Sequence, residues 1–301
     1  MKDINWLVTS GQAKITETKI TYIPTKAKDP EGNEYYQTSV INSDVDFENG
    51  SIEFNIKVKE IKALCQIVLE TEEYGNLNIG MNASGSLFGI TKYDYKTKRW
   101  EWQNGSGFPE NLELDKEYKL KIIVTGSLLT LYVNNIKIAE SNQYIKKAQL
   151  KFFITSSNEV EITDFKVTMK KPKAFIVMQF SDEFNKLYNE VIKPICEEYG
   201  LECERADEFY TSTPIIADIV NSLIKCSIII AEITPDNPNV YYELGYAHAI
   251  NKPTILLCDK NKRSKLPFDV SGFRTLFYED SIMGKSSIES SLRKYLEIIS
   301  Y

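Results

Sequence analysis

Hydrophobic and polar residues alternate in short runs over the first 168 residues. In SIEFNIKVK, which spans residues 51–59, apolar Ile52, Phe54 and Ile56 are separated by polar neighbours. This period of two is typical of a strand with one buried face. The same rhythm recurs in YKLKIIVTG, LLTLYVNNIKIAE, QLKFFITSS and EVEITDFKVTM. Few helical stretches interrupt these runs, so we predict an all-β sandwich over residues 1–169.

Two dipeptides in this half are suited to tight hairpin turns. Asn134-Asn135 and Gly126-Ser127 each lie between two alternating runs. Asn and Gly tolerate the positive φ angles that such turns need. The resulting progression of strands resembles the concanavalin-like jelly rolls of the laminin-G type. The resemblance implies a jelly-roll-like sandwich that senses a ligand, binds a protein partner or mediates assembly.

The pattern changes after Lys170-Lys171-Pro172-Lys173. AFIVMQF is a continuous apolar run, which favours a strand covered on both faces. A helical segment follows, then LECERAD, a helix from Pro214 to Lys225, and the run SIIIAEI. Further helices alternate with PTILLCD and RTLFYED. Strand–helix alternation of this kind predicts a second domain over residues 172–301, with a parallel, doubly wound, flavodoxin-like α/β sheet.

One predicted helix, in DNPNVYYELGYAHA (residues 236–249), carries a carboxylate on its apolar side. If Pro238 opens this helix, Val240, Leu244 and Ala247 form one apolar face. Glu243 falls inside the same stripe, at the edge that faces the sheet. We therefore single out Glu243 as a candidate functional residue. The alternative is a side chain that reaches solvent from the edge of the stripe, or that pairs with Arg205 or Lys252.

Several polar side chains follow the predicted parallel strands at the points where the strands end. Ligands of open α/β sheets bind beyond these carboxyl ends, so we expect these side chains to lie close together. They are Gln179, Ser181, Arg205, Asp207, Glu208, Glu232, Thr234, Asn237 and Asn239.

These segments together resemble nucleoside 2-deoxyribosyltransferase-like proteins, a group related to TIR domains. The resemblance covers roughly residues 172–299 and rests on AFIVMQFSDEF, GLECERADEF, NPNVYYELGYAHA with the following KP, and LPFDVSGFRTLFY. In these relatives the glutamate of the matching E-x-G-x-A segment attacks or stabilises the anomeric carbon. The resemblance thus implies that Glu243 is the catalytic carboxylate in cleavage of an N-ribosyl bond.

Each of the other predicted site residues has a candidate role in substrate binding and a structural alternative. The turn Gln179-Phe180-Ser181 is suited to a phosphate or sugar contact. Arg205 is suited to binding phosphate and Asp207 to binding ribose hydroxyls; the alternative is that the two form a surface ion pair. Asp218 matches an aspartate that orients the base or sugar in the relatives, or is a solvated helix residue. We expect His248, the only histidine, to be packed rather than catalytic.

Asn237 bears on the predicted substrate. The transferases carry an acid at this position, whereas Asn237 is suited to capping the helix before Pro238. Nicotinamide leaves NAD⁺ as a neutral group, so a single carboxylate suffices. We therefore predict an NAD⁺ glycohydrolase that uses NAD⁺ as substrate and needs no cofactor. The alternatives are a nucleoside deoxyribosyltransferase or hydrolase and a non-catalytic module that binds a nucleotide signal. The TIR resemblance also implies a homo-oligomer and a role in antiviral defence.

The aromatic residues Tyr93, Tyr95, Trp100 and Trp102 are a second candidate site. Trp100 and Trp102 are two residues apart and share a face of a strand, where their rings are suited to stacking on sugars. The alternative is that these rings fill the core of the sandwich.

Composition narrows the predicted partners and compartment. The chain has 301 residues, a formal net charge of −6 and five cysteines without a CxxC pair. An acidic chain of this kind is not expected to bind nucleic acid, and the cysteine and histidine content predicts no metal site. No apolar run has the length of a membrane span, and no signal-peptide pattern is present, so we expect a cytoplasmic protein without a membrane partner.

Overall fold

The computed structural model describes residues 4–71, 75–208, 214–263 and 265–300. The chain forms two compact units. The first comprises residues 1–124 and 128–170, and the second comprises residues 125–127 and 171–301.

The first unit is a sandwich of two antiparallel seven-stranded sheets. One sheet has the order β1-β6-β15-β8-β9-β10-β11 and the other the order β14-β13-β12-β7-β16-β3-β2, in the labels defined here; β4 and β5 form a separate pair. The strands are β1 (Trp6–Ser10), β2 (Ala13–Ile15), β3 (Lys19–Tyr22), β4 (Lys26–Lys28), β5 (Glu34–Tyr36), β6 (Ser39–Phe47), β7 (Gly50–Val58), β8 (Leu64–Thr71), β9 (Gly75–Ala83), β10 (Ser86–Asp94), β11 (Arg99–Ser106), β12 (Glu117–Thr125), β13 (Leu128–Val133), β14 (Ile136–Asn142), β15 (Ala148–Thr155) and β16 (Val160–Met169).

The inward-facing residues of both sheets form one apolar core. In β7, Ile52, Phe54, Ile56 and Val58 are all fully buried, as the period-two pattern predicts. Phe54 meets Phe152 of the other sheet edge-on, with ring centroids 5.1 Å apart. Alternation along the strands therefore decides which residues fill the sandwich, and the predicted β-sandwich is confirmed.

Both predicted hairpin turns are present. Asn134 and Asn135 connect β13 to β14 with φ angles of 49° and 66°. This pair of positive φ angles gives the turn a twist that matches the flanking strands. Gly126, with φ of 60°, lies in the short turn between β12 and β13.

The second unit is an α/β domain with a five-stranded parallel sheet. Its strands are β17 (Lys173–Val177), β18 (Glu202–Arg205), β19 (Ile228–Glu232), β20 (Thr254–Asp259) and β21 (Thr275–Tyr278). Their order, β18-β17-β19-β20-β21, is the 2-1-3-4-5 order of flavodoxin-like folds. The helices are α1 (Asp182–Leu187), α2 (Lys193–Glu198), α3 (Ile215–Lys225), α4 (Pro238–Ala249) and α5 (Ile282–Ser300), and a π-helical turn, Tyr188–Ile192, joins α1 to α2.

Each face of this sheet has its own apolar layer. Ile176, Ile228 and Ile230 pack toward one face, and Phe175, Ile229 and Ala231 toward the other. A strand covered on both faces has apolar residues at successive positions, so AFIVMQF and SIIIAEI show no alternation of apolar and polar residues. The predicted parallel α/β sheet is confirmed. Among the helices described, none is long and apolar enough to cross a membrane.

Candidate functional site

A crevice opens at the carboxyl ends of β17, β18 and β19, where the strand order of the α/β sheet reverses. This is the switch point at which flavodoxin-like folds bind ligands. The crevice has a volume of about 520 Å³, which is within the range of small-molecule sites. Six of the predicted site residues line it together: Gln179, Phe180, Asp207, Asn237, Asn239 and Glu243.

Glu243 lies on α4 where the buried stripe of the helix meets the crevice. Val240, Leu244 and Ala247 are buried against the sheet, while the Glu243 side chain is half-buried beside them. Burial raises the pKa of Glu243 to about 7, because removal of water disfavours the charged carboxylate. Glu243 has no hydrogen bond or ion pair with any described residue. The carboxyl group therefore lies at the crevice without a partner in the part of the chain that the structure describes.

The two ion pairs considered for Glu243 are not formed. Arg205 binds Asp207 and Asn185 instead. The Nζ atom of Lys252 donates to the carbonyl oxygens of Ile224 and Cys226.

The start of α4 is fixed by a side-chain cap. The Oδ1 atom of Asn237 accepts a hydrogen bond from the Asn239 N–H at 3.0 Å, and Pro238 occupies the first helical position. Asn237 therefore caps the helix, which is one of the two roles predicted for it. Its side chain also lines the crevice. Asp236, the neighbouring acid, is paired with Arg263 rather than directed at the crevice.

Arg205 is buried next to the crevice rather than part of its wall. Only 4% of its surface is exposed. Its guanidinium binds both carboxylate oxygens of Asp207 and donates to Asn185 Oδ1 at 3.0 Å. It also lies 4.5 Å from the ring centroid of Tyr188 and 5.1 Å from that of Phe180. These contacts occupy the guanidinium, so Arg205 is not free to bind the expected phosphate. Instead it holds Asp207 and Phe180 in position.

Three other predicted residues are not part of the crevice wall. Ser181 is the N-cap residue of the short helix α1. Asp218 lies on α3 and borders a separate depression beside Asn221 and Ser222. Thr234 belongs to the loop between β19 and α4 and is buried in a hydrogen-bond network with Glu232 and the Asp259 N–H.

That network contains a carboxyl group that the sequence places with Thr234 at the end of a strand, although it does not line the crevice. Glu232, at the end of β19, is fully buried and accepts hydrogen bonds from the Thr234 N–H at 3.2 Å and from the Tyr278 hydroxyl at 3.1 Å. Burial raises its pKa to about 7. An acidic residue ending the otherwise apolar run SIIIAEI was the available signal, since buried acids are rare without bonding partners. Glu232 ties the β19–α4 loop to β21.

Arg263 holds the same loop from the other side. Its guanidinium donates to the Tyr241 hydroxyl at 2.7 Å, to the Ile233 carbonyl oxygen at 2.5 Å and to Asp236. No sequence pattern pointed to Arg263, because it follows β20 and meets the loop only in the folded chain. His248 is stacked on Phe273 with ring centroids 3.8 Å apart, as expected for a packed histidine.

The four aromatic residues predicted as a second site, Tyr93, Tyr95, Trp100 and Trp102, are not part of the sandwich core. Trp100 and Trp102 are 47% and 53% exposed, and Tyr95 is 50% exposed, so the core alternative is wrong. The Tyr93 ring lies 4.8 Å from Trp100 and 5.5 Å from Tyr95. We call these four residues the aromatic wall.

The aromatic wall stands beside polar side chains on the outer face of the sheet. Strand pairing places Trp100, Tyr93 and Asn76 in one cross-strand row. The next row contains Trp102, Thr91 and Asn78. Cross-strand partners share a face, and this face is opposite the core residues of β9 and β10.

Among the described residues, no group of three or more His, Cys, Asp or Glu side chains is placed to hold a metal ion. The five cysteines are free thiols, and all except Cys203 are buried.

Comparison with known proteins gives matches to solved structures only. No protein-family model matches the chain, and no curated protein matches it. A carbohydrate-binding module, CBM66, from Bacillus subtilis is 15% identical, with a TM-score of 0.35, over 50% of this chain and 94% of that one. A B. subtilis protein with a galectin-like fold is 14% identical, with a TM-score of 0.39, over 55% of this chain and 89% of the other. A family-16 endo-glucanase from Bacteroides ovatus is 13% identical, with a TM-score of 0.36, over 54% and 85%.

These matches correct the functional prediction. They are a carbohydrate-binding module, a protein of unknown function with a galectin-like fold and a glycoside hydrolase, and they show no TIR or deoxyribosyltransferase-like domain. The predicted NAD⁺ glycohydrolase is wrong on this finding, and the antiviral role and the homo-oligomer gain no support. The crevice gives a physical reason, because none of the described residues lining it is Lys or Arg. NAD⁺ carries two phosphate groups, which positively charged side chains commonly bind.

Proposed function

We propose that the β-sandwich binds a carbohydrate at the aromatic wall. The observation that carries this proposal is the exposure of Trp100 and Trp102, about half each, on one face of an antiparallel sheet. Large aromatic rings are normally buried or engaged with a ligand, since exposed apolar surface is costly in water. The C–H face of a sugar ring covers such surface while its hydroxyl groups remain free for hydrogen bonds.

The geometry of the aromatic wall supports a sugar more than a purely apolar ligand. The Trp102 indole N–H donates to the Ser86 hydroxyl at 3.2 Å, which fixes the orientation of the ring. Half-buried Asn76 lies in the same row as Tyr93 and Trp100; because its Oδ1 atom is buried, only its amide N–H groups can meet a hydroxylated ligand. A rigid stacking surface flanked by amides matches both parts of a sugar.

Binding to a panel of oligosaccharides tests this proposal, with intrinsic tryptophan fluorescence as the readout. Two of the three tryptophans belong to the aromatic wall, and the third, Trp6, packs against Phe152 and Phe165. We expect Trp100→Ala and Trp102→Ala each to weaken binding at least about tenfold. Tyr35→Ala, which removes a similarly exposed ring on the separate β4–β5 pair, is the matched control and should bind normally. Equal affinity of all three variants would refute the proposal.

A second candidate function concerns the crevice of the α/β unit, which we propose acts on a glycosidic bond. The observation that favours it is the carboxyl of Glu243, which lines the crevice without a partner among the described residues and whose pKa is raised to about 7 by burial. A carboxyl of this kind is protonated in about half of the molecules at neutral pH, as general acid catalysis requires. Glu243 would protonate the leaving-group oxygen as its bond to the anomeric carbon breaks, while a water molecule attacks that carbon and loses its proton to the Asp207 carboxylate on the same crevice.

The mouth of the crevice is also suited to a sugar-containing substrate. Phe180 and Tyr242 both line it and are about half exposed. Gln179, Asn237 and Asn239 provide amide groups for hydroxyl recognition. The kinship of this unit with deoxyribosyltransferase-like proteins remains a proposal that rests on the NPNVYYELGYAHA segment. A reducing, cytoplasmic location is likewise proposed, on the basis of the unpaired cysteines.

Release of reducing sugar from a series of methyl glycosides and oligosaccharides, whose alkoxide leaving groups need protonation, tests the crevice proposal. We expect Glu243→Gln to abolish release by the active protein, because the amide cannot donate the proton. Glu289→Gln is the matched control, since this carboxylate lies on α5 and does not line the crevice. Failure of the wild-type protein to cleave any glycoside, or full activity of Glu243→Gln, would refute the proposal.

A further inference from the structure

The charged groups of the crevice are all negative among its described residues. Asp207 and Glu243 line it, and the remaining lining side chains are apolar, aromatic or amide groups. Phosphate groups are bound in proteins by Arg, Lys or free N–H groups at helix N-termini. The described side chains provide no such cation.

Arg205, the cation next to the crevice, is already neutralised. Its fork of N–H donors binds both oxygens of Asp207, and its remaining contacts are Asn185 and the rings of Tyr188 and Phe180. Asp207 therefore cancels the positive charge of Arg205 in the electrostatic field of the crevice, and the pair is neutral as a whole. The net negative charge of the crevice then comes from the Glu243 carboxylate.

The N-terminus of α4 offers little compensation. Helix N-termini attract anions through unbonded backbone N–H groups. Here the Asn239 N–H already donates to the Asn237 side chain. An anionic ligand would have to compete with that cap while it approached two carboxyl groups.

From these observations we infer that the crevice accepts uncharged or cationic ligands without a phosphate group, and that Asp207 determines this specificity. The inference rests on the proposed role of the crevice as a ligand site, and it goes further by excluding nucleotides and sugar phosphates as substrates. Asp207 acts on specificity by cancelling the charge of Arg205.

The charge of the crevice can be measured without a known ligand. In an Asn239→Cys variant, a thiol stands on the crevice wall at an exposed position. The rate of its modification at pH 8 is compared for two methanethiosulfonate reagents, one with a trimethylammonium group and one with a sulfonate group. Ser286→Cys, at an exposed site on α5 that is not part of the crevice, corrects for the intrinsic difference between the reagents. The protein with its native cysteines gives the background rate.

We expect the cationic reagent to be favoured about tenfold at Asn239→Cys relative to Ser286→Cys. Adding Asp207→Asn should reduce this preference severalfold, since it leaves the charge of Arg205 uncompensated. Asp236→Asn is the matched control, because Asp236 is also paired with an arginine but does not line the crevice. It should leave the preference unchanged.

Two results would overturn the inference: an equal or higher rate with the anionic reagent at Asn239→Cys, or an unchanged preference after Asp207→Asn. Circular dichroism of each variant confirms that the fold is retained, and Asp207→Glu, which keeps the carboxylate, should restore the preference. The experiment is independent of catalysis. If no glycoside is cleaved, the proposed reaction fails while the thiol rates still decide the charge preference.

Discussion

The guanidinium of Arg205 binds both carboxylate oxygens of Asp207 and stacks against the rings of Phe180 and Tyr188. Arg205 ends β18, Asp207 lies in the turn after it, and Phe180 belongs to the loop after β17. One buried cation thus connects two loops that form the crevice. The position of the crevice wall depends on this contact.

The first prediction concerns the replacement of this guanidinium. Arg205→Lys keeps the positive charge but loses the second hydrogen bond to Asp207 and the flat surface that stacks on the rings. We expect the free energy of unfolding, measured with urea, to fall by about 1–3 kcal/mol. Arg293→Lys is the control, because Arg293 forms an exposed ion pair with Glu198 and its replacement should cost less than about 0.5 kcal/mol. Equal losses in the two variants would contradict the assignment.

The second prediction concerns the pH dependence of stability. The pKa of Glu243 is raised to about 7 in the folded protein, above its ordinary value near 4.5. The folded protein therefore binds the proton more tightly than the unfolded chain. The contribution of this group is fully present below about pH 4.5 and is lost as the pH rises through 7.

Urea unfolding at pH 5 and pH 8 measures this contribution. We expect the wild-type protein to lose more stability between the two pH values than Glu243→Gln does, because glutamine cannot ionise. Glu232, whose pKa is also raised to about 7, titrates in both proteins and cancels in the comparison. An identical pH dependence for both proteins would show that Glu243 is not held in a water-poor environment.

The third prediction concerns the start of α4, the helix that carries Glu243. Asn237→Ala removes the side-chain acceptor for the Asn239 N–H, and we expect a loss of about 1 kcal/mol in unfolding free energy. Asn239→Ala keeps the backbone donor and should cost much less. A thermal unfolding series of the two variants separates the effects. Asn237→Ser, which retains a capping oxygen, is expected to recover most of the stability.

Much of the fold follows from local sequence patterns. The alternation in β7 identifies one sandwich strand, and the positive φ angles of Asn134 and Asn135 fit the predicted hairpin. The apolar run of β17 likewise identifies a strand buried on both faces. These features are predictable because side-chain periodicity and turn conformation depend on neighbouring residues in the chain.

The candidate site was predictable only in part. Strand ends and the position of Glu243 on the helical wheel pointed to six residues that the structure brings into one crevice. Arg205 and Thr234 also come at the ends of parallel strands in the sequence. In the structure they are buried and hydrogen-bonded next to the crevice and do not line it. The substrate inferred from resemblance was wrong, because a shared motif around one carboxylate does not specify the charges of the surrounding wall.

The sequence by itself determined the two kinds of sheet, the turns, the cap of α4 and the inward position of Glu243, since each depends on residues close together in the chain. Only the tertiary structure decided which groups neutralise one another. Asp207 cancels the charge of Arg205, and the β19–α4 loop is held by Arg263, which follows β20, and by the bond from Tyr278 of β21 to Glu232. It also decided that the aromatic wall is exposed rather than buried. Burial and charge pairing arise from contacts between distant segments, which no local pattern encodes.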